Sequence, residues 1–301
     1  MQAGDTRHFL RLSALTKDEL EAILAMAHEI KRGQYDNTVL SGLHIALIFS
    51  KPSTRTRVSF EVGISRLGGT TLVLNDQEIQ IGVREPIADI ARVLSRYVDG
   101  IVVRLSSEAD LYQLAKYSSV PVINGLSDFA HPCQALADVM TMQELLGNLR
   151  HHRICYIGDG NNVANSLIAA ANILGFQLIV ITPPGYEPQG ELGTGLEDNG
   201  SVVITNDLTL ARDCSIIYTD VWASMGKEHE KQQRYAIFQN YQVNNEIMRR
   251  NPKAYFMHCL PAHRGEEVSN EVIDGDRSVV FDQAENRLHA QMALLTFLYR
   301  R

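Results

Sequence analysis

A repeated alternation of short apolar runs with helical patterns constrains this chain more than any other feature. Strand-like runs lie at 44–49, 70–74, 100–104 and 120–123, with apolar residues at helical spacing near 57–67, 86–97 and 108–117 between them. Strands alternating with helices at this interval indicate a parallel sheet covered on both faces. A second series opens with Arg153-Ile154-Cys155-Tyr156-Ile157, followed by a helical pattern at 163–174 and the strand Leu178-Ile179-Val180-Ile181. Val202-Val203-Ile204, Ile216-Ile217-Tyr218 and Tyr255-Phe256-Met257 continue it. The expected fold class is α/β, with two domains, each a parallel β-sheet flanked by helices. A length of 301 residues suits that division.

Several boundaries are legible. Thr16-Lys17-Asp18-Glu19 predicts a capping box, in which the threonine hydroxyl and Glu19 cover each other's orphan backbone donors. The apolar stripe Leu20, Ile23, Leu24 and Ala27 follows, and Gly33 ends the helix. Gln134 to Leu146 contains no Gly or Pro and predicts a helical connector, so the domains should join near residue 135. The Gly- and Pro-rich segment Pro183 to Gly200 is the expected variable loop, and a last helix is expected at 285–298.

The formal charge of −7 provides no global basic field for nucleic acid or an anionic membrane, so any anion must be held by a local cluster. No apolar run approaches the roughly 20 residues that cross a bilayer, and Met1 to Arg11 is polar. The cysteines Cys133, Cys155, Cys214 and Cys259 lie far apart without CxxC spacing. The expectation is a reducing cytoplasm, with neither a disulfide framework nor a zinc site. His258-Cys259 with His263 lacks a fourth partner nearby, so no metal is expected there.

One local cluster stands out. Ser53-Thr54-Arg55-Thr56-Arg57 crowds hydroxyl and guanidinium donors between the apolar run 44–49 and the helical pattern Val58 to Ile64, with Pro52 blocking further ladder pairing. A donor-rich turn at a helix N-terminus suits phosphate, because free N–H groups and the helix dipole favour negative charge. A solvated basic helix start is the alternative reading. Gly158-Asp159-Gly160-Asn161-Asn162 also joins a strand to a helix, as a dinucleotide fingerprint does, but valine occupies position 163 and Ile179 to Thr182 supplies no ribose-binding carboxylate. A nicotinamide or flavin enzyme stays open as the weaker alternative. Glycine geometry and helix-terminal donors for a small carboxylate suit the turn better.

Other groups look odd as packing elements. Arg104 ends the apolar run Gly100-Ile101-Val102-Val103, where a parallel strand presents its ligand edge. His131-Pro132-Cys133-Gln134 starts a helix with Pro at its first position. His258-Cys259-Leu260-Pro261 ends another strand, and its Leu-Pro bond is a candidate cis peptide. Arg287 lies near the last helix.

Together these motifs resemble the aspartate/ornithine carbamoyltransferases, essentially end to end. Ser53 to Arg57 matches the shared carbamoyl-phosphate motif and His131-Pro132-Cys133-Gln134 the second shared motif. Asp220-Val221-Trp222-Ala223-Ser224-Met225-Gly226 and His258-Cys259-Leu260-Pro261 indicate the ornithine branch. The resemblance implies carbamoyl transfer from carbamoyl phosphate to the side-chain amine of L-ornithine, giving L-citrulline and phosphate in arginine biosynthesis, with no cofactor. It implies a carbamoyl-phosphate domain at 1–135, onto which 285–301 packs back, and an ornithine domain at 136–284. Ser53, Thr54, Arg55, Thr56 and Arg57 would hold the phosphate. Arg104, His131 and Gln134 would grip the carbamoyl group, Arg287 would add a contact, and the Cys259 and Leu260 backbone would face the carbamoyl nitrogen. Asn162, Asp220, Ser224 and Met225 would bind the amino-acid end of ornithine, with Cys259 beside the side-chain amine. Arg55, Thr56, Arg104, His131 and Cys259 form the expected catalytic set. The family also implies a homotrimer with sites at subunit interfaces, where Gln80 would reach the neighbour's phosphate. The aspartate branch uses a lysine in that loop, whereas Val83-Arg84 stands here.

Overall fold

The computed structural model describes residues 6–50, 53–75, 81–82, 84–189, 201–223 and 230–300. The chain forms two compact units, Met1–Met140 with Asn286–Arg301, and Thr141–Glu285. Both crossings between units fall inside helices.

In the first unit α1 (Lys17–Lys31) starts at a capping box: Glu19 N donates to Thr16 Oγ1 and Thr16 N donates to Glu19 Oε2. There follow β1 (His44–Phe49), α2 (Thr54–Arg66), β2 (Thr70–Asn75), α3 (Ile87–Leu94), β3 (Gly100–Arg104), α4 (Glu108–Tyr117), β4 (Val122–Leu126) and α5 (Pro132–Leu146). The strands lie in the order β2-β1-β3-β4, all parallel. β3 is buried along its whole length, as its unbroken apolar run requires of a central parallel strand. β4 starts two residues later than the sequence pattern suggests. Pro121 has no N–H for the ladder, although its carbonyl still accepts from Ile101 N.

Register sets where chemistry can occur. Phe49 pairs with Arg104, and Arg104 with Leu126 after a shift between Val103 and Arg104. The carboxyl ends of β1, β3 and β4 are therefore level. Strand order reverses between β1 and β3, the switch point where open α/β sheets bind ligands.

The second unit contains β5 (Arg153–Ile157), α6 (Asn162–Leu174), β6 (Gln177–Ile181), β7 (Val202–Thr205), β8 (Ile216–Thr219), α7 (Lys231–Phe238), α8 (Asn245–Arg250), β9 (Tyr255–His258) and α9 (Asn270–Ile273). Its parallel order is β7-β6-β5-β8-β9, with the switch point between β5 and β8. α6 is buried from Val163 to Leu174, and Gly175, at φ 76°, ends it in the left-handed conformation that glycine accepts. The last helix, α10 (Val280–Tyr299), starts earlier than its apolar pattern announces, because its first turn carries Asp282 and an exposed Phe281.

Candidate functional site

The singled-out residues gather at the two switch points, one cluster in each unit. In the first unit, Ser53 precedes α2 but its side chain makes no capping bond. Thr16, Ser107 and Asn161 do cap their helices. Among the described residues no side-chain oxygen caps the α2 N-terminus, the condition under which a helix end receives an anion. Arg287 joins the pieces. Its Nη2 donates to Thr56 Oγ1 at 3.1 Å, and its Nη1 donates to Gln134 Oε1 at 2.6 Å. Gln134 Nε2 in turn donates to the buried Asp138 at 2.8 Å. Thr56, Gln134 and Arg287 are each almost fully buried.

The electrostatics follow from packing cations together. Arg104 is buried, and its pKa falls to about 10 through desolvation and the charges of Arg287 and Arg55, with Asp128 opposing. Burial and the charges of Arg287, Arg104 and Arg55 hold His131 well below the ordinary histidine range, so its imidazole is neutral. Arg104 Nε is buried and makes no hydrogen bond among the described residues. A neutral ring and three converging guanidinium groups form a site for an oxyanion and for negative charge that develops during a reaction. Arg57 is differently placed: its half-exposed side chain pairs with Glu61 at 3.3 Å on α2.

In the second unit, Asp220 follows β8 and is buried. The Cys259 thiol donates to its Oδ1 at 2.9 Å, and Asn161 Nδ2 donates to its Oδ2 at 2.7 Å. The Leu260–Pro261 bond is cis and Leu260 has φ 55°. The Leu260 amide donates to His258 Nδ1 at 2.8 Å. The ring proton therefore sits on His258 Nε2, which faces the fully buried Glu267 Oε1 at 3.2 Å. A carboxylate held beside a thiol, at the mouth of a parallel sheet, suits an ammonium-bearing substrate.

The Gly158 turn corrects part of the sequence reading. Asn161 Oδ1 accepts from Val163 N and Ala164 N, so those helix-terminal donors serve the cap and not a ligand carboxylate. Gly160 is required because a Cβ there would collide with Pro188 N and Tyr186 O, so the close approach is made by this chain's own backbone. In a dinucleotide fold the pyrophosphate takes that place. Gln80, Ser224 and Met225 lie outside the described residues.

Sequence reasoning missed Glu267, Arg234 and the role of Asn161. Glu267 reads as part of a surface charge run, Arg264 to Glu267, yet it is buried. Arg234 is buried and donates to Asp159 Oδ2 at 3.0 Å and to the Trp222 carbonyl at 2.8 Å. Arg234 also pairs with Glu230 and Glu267 accepts from His263 N, each four residues away, but such spacing is common on solvated helices and turns and does not mark a residue as buried. Asn161 had a signal, its position before an apolar helical pattern, which is that of an N-cap.

Two family models match the chain: "Aspartate/ornithine carbamoyltransferase, carbamoyl-P binding domain" over residues 7–144, and the "Asp/Orn binding domain" of the same family over 150–298. The second match takes in 286–298, which the structure assigns to the first unit, since a linear match cannot represent a segment that returns. An ornithine carbamoyltransferase of Thermococcus kodakarensis is 53% identical, covering 97% of this chain and 96% of its own. A Pyrococcus furiosus relative named "Ornithine carbamoyltransferase, anabolic" is 51% identical over 97% of this chain and 96% of its own. The solved structure of an ornithine carbamoyltransferase from P. furiosus superposes with a TM-score of 0.91 at 51% identity, covering 96% of both chains.

Proposed function

Because the chain belongs to the aspartate/ornithine carbamoyltransferase family, we propose that its arginine cluster binds carbamoyl phosphate and its acid–thiol cluster binds ornithine. The enzyme is a carbamoyltransferase that converts ornithine to citrulline with release of phosphate. The observation that carries the site reading is that the buried Arg287 bonds both Thr56 and Gln134, so that the α2 and α5 helix starts meet at one guanidinium.

Ser53, Thr54, Arg55 and Thr56 hold the phosphate at the α2 N-terminus, and Arg57, paired with Glu61, adds only its charge. Arg104, His131 and Gln134 grip the carbamoyl group. Attack by the amine converts the carbamoyl carbonyl into a tetrahedral oxyanion, and collapse expels phosphate. Both steps move negative charge onto oxygens that Thr56, Arg104 and His131 can stabilise, each such donor supplying about 2.7–4 kcal/mol. A neutral His131 donates an N–H without bringing another cation into an already positive cluster. Asp220 takes the α-ammonium of ornithine, with Asn162, Ser224 and Met225 at its amino-acid end and Cys259 beside its side-chain amine. That amine has a lysine-like pKa near 10 and must lose its proton before it attacks.

Phosphate release from carbamoyl phosphate, measured with ornithine, N-acetylornithine, putrescine or aspartate in turn as acceptor, tests the acceptor choice. Turnover of another amine and none of ornithine overturns it. The biosynthetic direction draws support from the relative named anabolic. Among the described residues no helix is long and apolar enough to cross a membrane, and we assign a cytoplasmic location. A homotrimer in which Gln80 reaches a neighbour's phosphate completes the reading. Hybrid trimers mixing Gln80→Ala subunits with Arg55→Ala subunits test it. If the mixtures gain no activity beyond their intact sites and Gln80→Ala alone is harmless, sharing at this residue is wrong.

A further inference from the structure

Asn161 occupies a position where two requirements meet. Its Oδ1 accepts from Val163 N at 2.9 Å and Ala164 N at 3.2 Å, which caps α6. Its Nδ2 donates to Asp220 Oδ2 at 2.7 Å. The amide cannot be reversed, because that would set an NH2 group against two backbone N–H groups and an oxygen against a carboxylate. The helix terminus thus fixes the amide, and the amide fixes one oxygen of Asp220. The other oxygen is left to the Cys259 thiol at 2.9 Å. The Tyr156 hydroxyl lies 3.2 Å from Asn161 Oδ1 and supports it from β5.

We propose that Asn161 is a positioning residue: it uses the N-cap of α6 to hold the Asp220 carboxylate in the rotamer that pairs with Cys259 and receives the substrate's ammonium. The proposal rests on the assignment of Asp220 to the amine substrate. Among the described residues, the titratable groups gathered at Asp220 are the Cys259 thiol and His258 at the end of β9, while in the Gly158 turn Asp159 pairs with Arg234.

Three substitutions separate capping from positioning. Asn161→Ser and Asn161→Asp both retain an oxygen that caps, so both should melt close to wild type, whereas Asn161→Ala should not. Serine is too short to reach Asp220, so kcat/KM for the amine should fall about tenfold, the size of one charge-assisted hydrogen bond, at every pH. Asn161→Asp sets a second carboxyl against Asp220, and such a pair retains one proton to higher pH than either acid alone. While that proton is shared, the new carboxyl donates as the amide did; once it is lost, two anions repel. The ratio of Asn161→Asp to wild-type kcat/KM should therefore be near one in mild acid and fall as pH rises. KM for carbamoyl phosphate should not move. The ratio is read with whichever amine the wild-type enzyme turns over, so a failed ornithine assignment is distinguishable from a failed positioning role. A flat ratio for Asn161→Asp with wild-type kcat/KM for Asn161→Ser would leave Asn161 as a cap only, and so would losses that merely track melting temperature.

Discussion

Arg287 Nη1 donates to Gln134 Oε1 across 2.6 Å, although 153 positions separate the two residues in sequence. This bond ties the last helix to the first turn of α5, and through Thr56 to the first turn of α2. One guanidinium thereby orients two of the motifs assigned to carbamoyl phosphate while contributing its own charge.

Arg287→Lys is expected to be nearly as damaging as Arg287→Ala, because an ammonium cannot span two acceptors as the planar fork does. Steady-state kinetics should give losses of about 10²–10³ in kcat/KM for carbamoyl phosphate for both. A near-wild-type Lys variant would reduce Arg287 to a point charge.

His131 predicts a pH dependence of stability. Its folded pKa is depressed, so below about pH 6.5 the unfolded chain takes up a proton that the folded chain refuses. The stability this residue preserves is complete above that pH and declines as pH falls toward the folded pKa. Denaturant titrations of His131→Gln over the acid range should show a flatter decline than wild type. Parallel slopes would mean that His131 titrates alike in both states.

Glu267 accepts from His258 Nε2 and, at 2.5 Å, from His263 N. Glu267→Ala strands both donors, one of them on a fully buried ring, and should cost about 1–3 kcal/mol for each group left unpaired. Glu267→Gln retains an acceptor and should cost less. Equilibrium unfolding of the two variants compares them directly.

Gly160→Ala should destabilise the second unit, since the added methyl meets backbone at Tyr186 and Pro188 rather than a side chain that can rotate away. A lowered melting temperature is expected, together with loss of the Gly160 N to Tyr186 O bond, read as faster amide exchange at Gly160. An unchanged melting temperature would show that the 186–188 segment yields.

Local chemistry made much of the fold legible. The Thr16–Glu19 box needs only residues three apart. The parallel strands announced themselves because a strand buried on both faces must be apolar throughout, as in Gly100 to Val103. The clustering of donors at the start of α2 was legible because Thr54 to Arg57 are neighbours on one helical turn. Glu267, Arg234 and the second task of Asn161 were not. The contacts that bury or aim them, to His258, Asp159 and Asp220, lie nine, 75 and 59 positions away, and their neighbours at four residues do not distinguish a buried carboxylate or guanidinium from a solvated one.

The sequence alone determined the two α/β series, the capping box that starts α1 and the donor-rich segments, because these depend on side-chain period and on hydrogen bonds that close within a few residues. Only the tertiary structure decided which charges would meet. Packing buried His131 together with Arg104 and Arg287, and it is that burial first, with the charges of Arg287, Arg104 and Arg55 second, that keeps the imidazole neutral. In the second unit it likewise turned a capping asparagine toward Asp220, because level strand ends set β8's acid beside the start of α6.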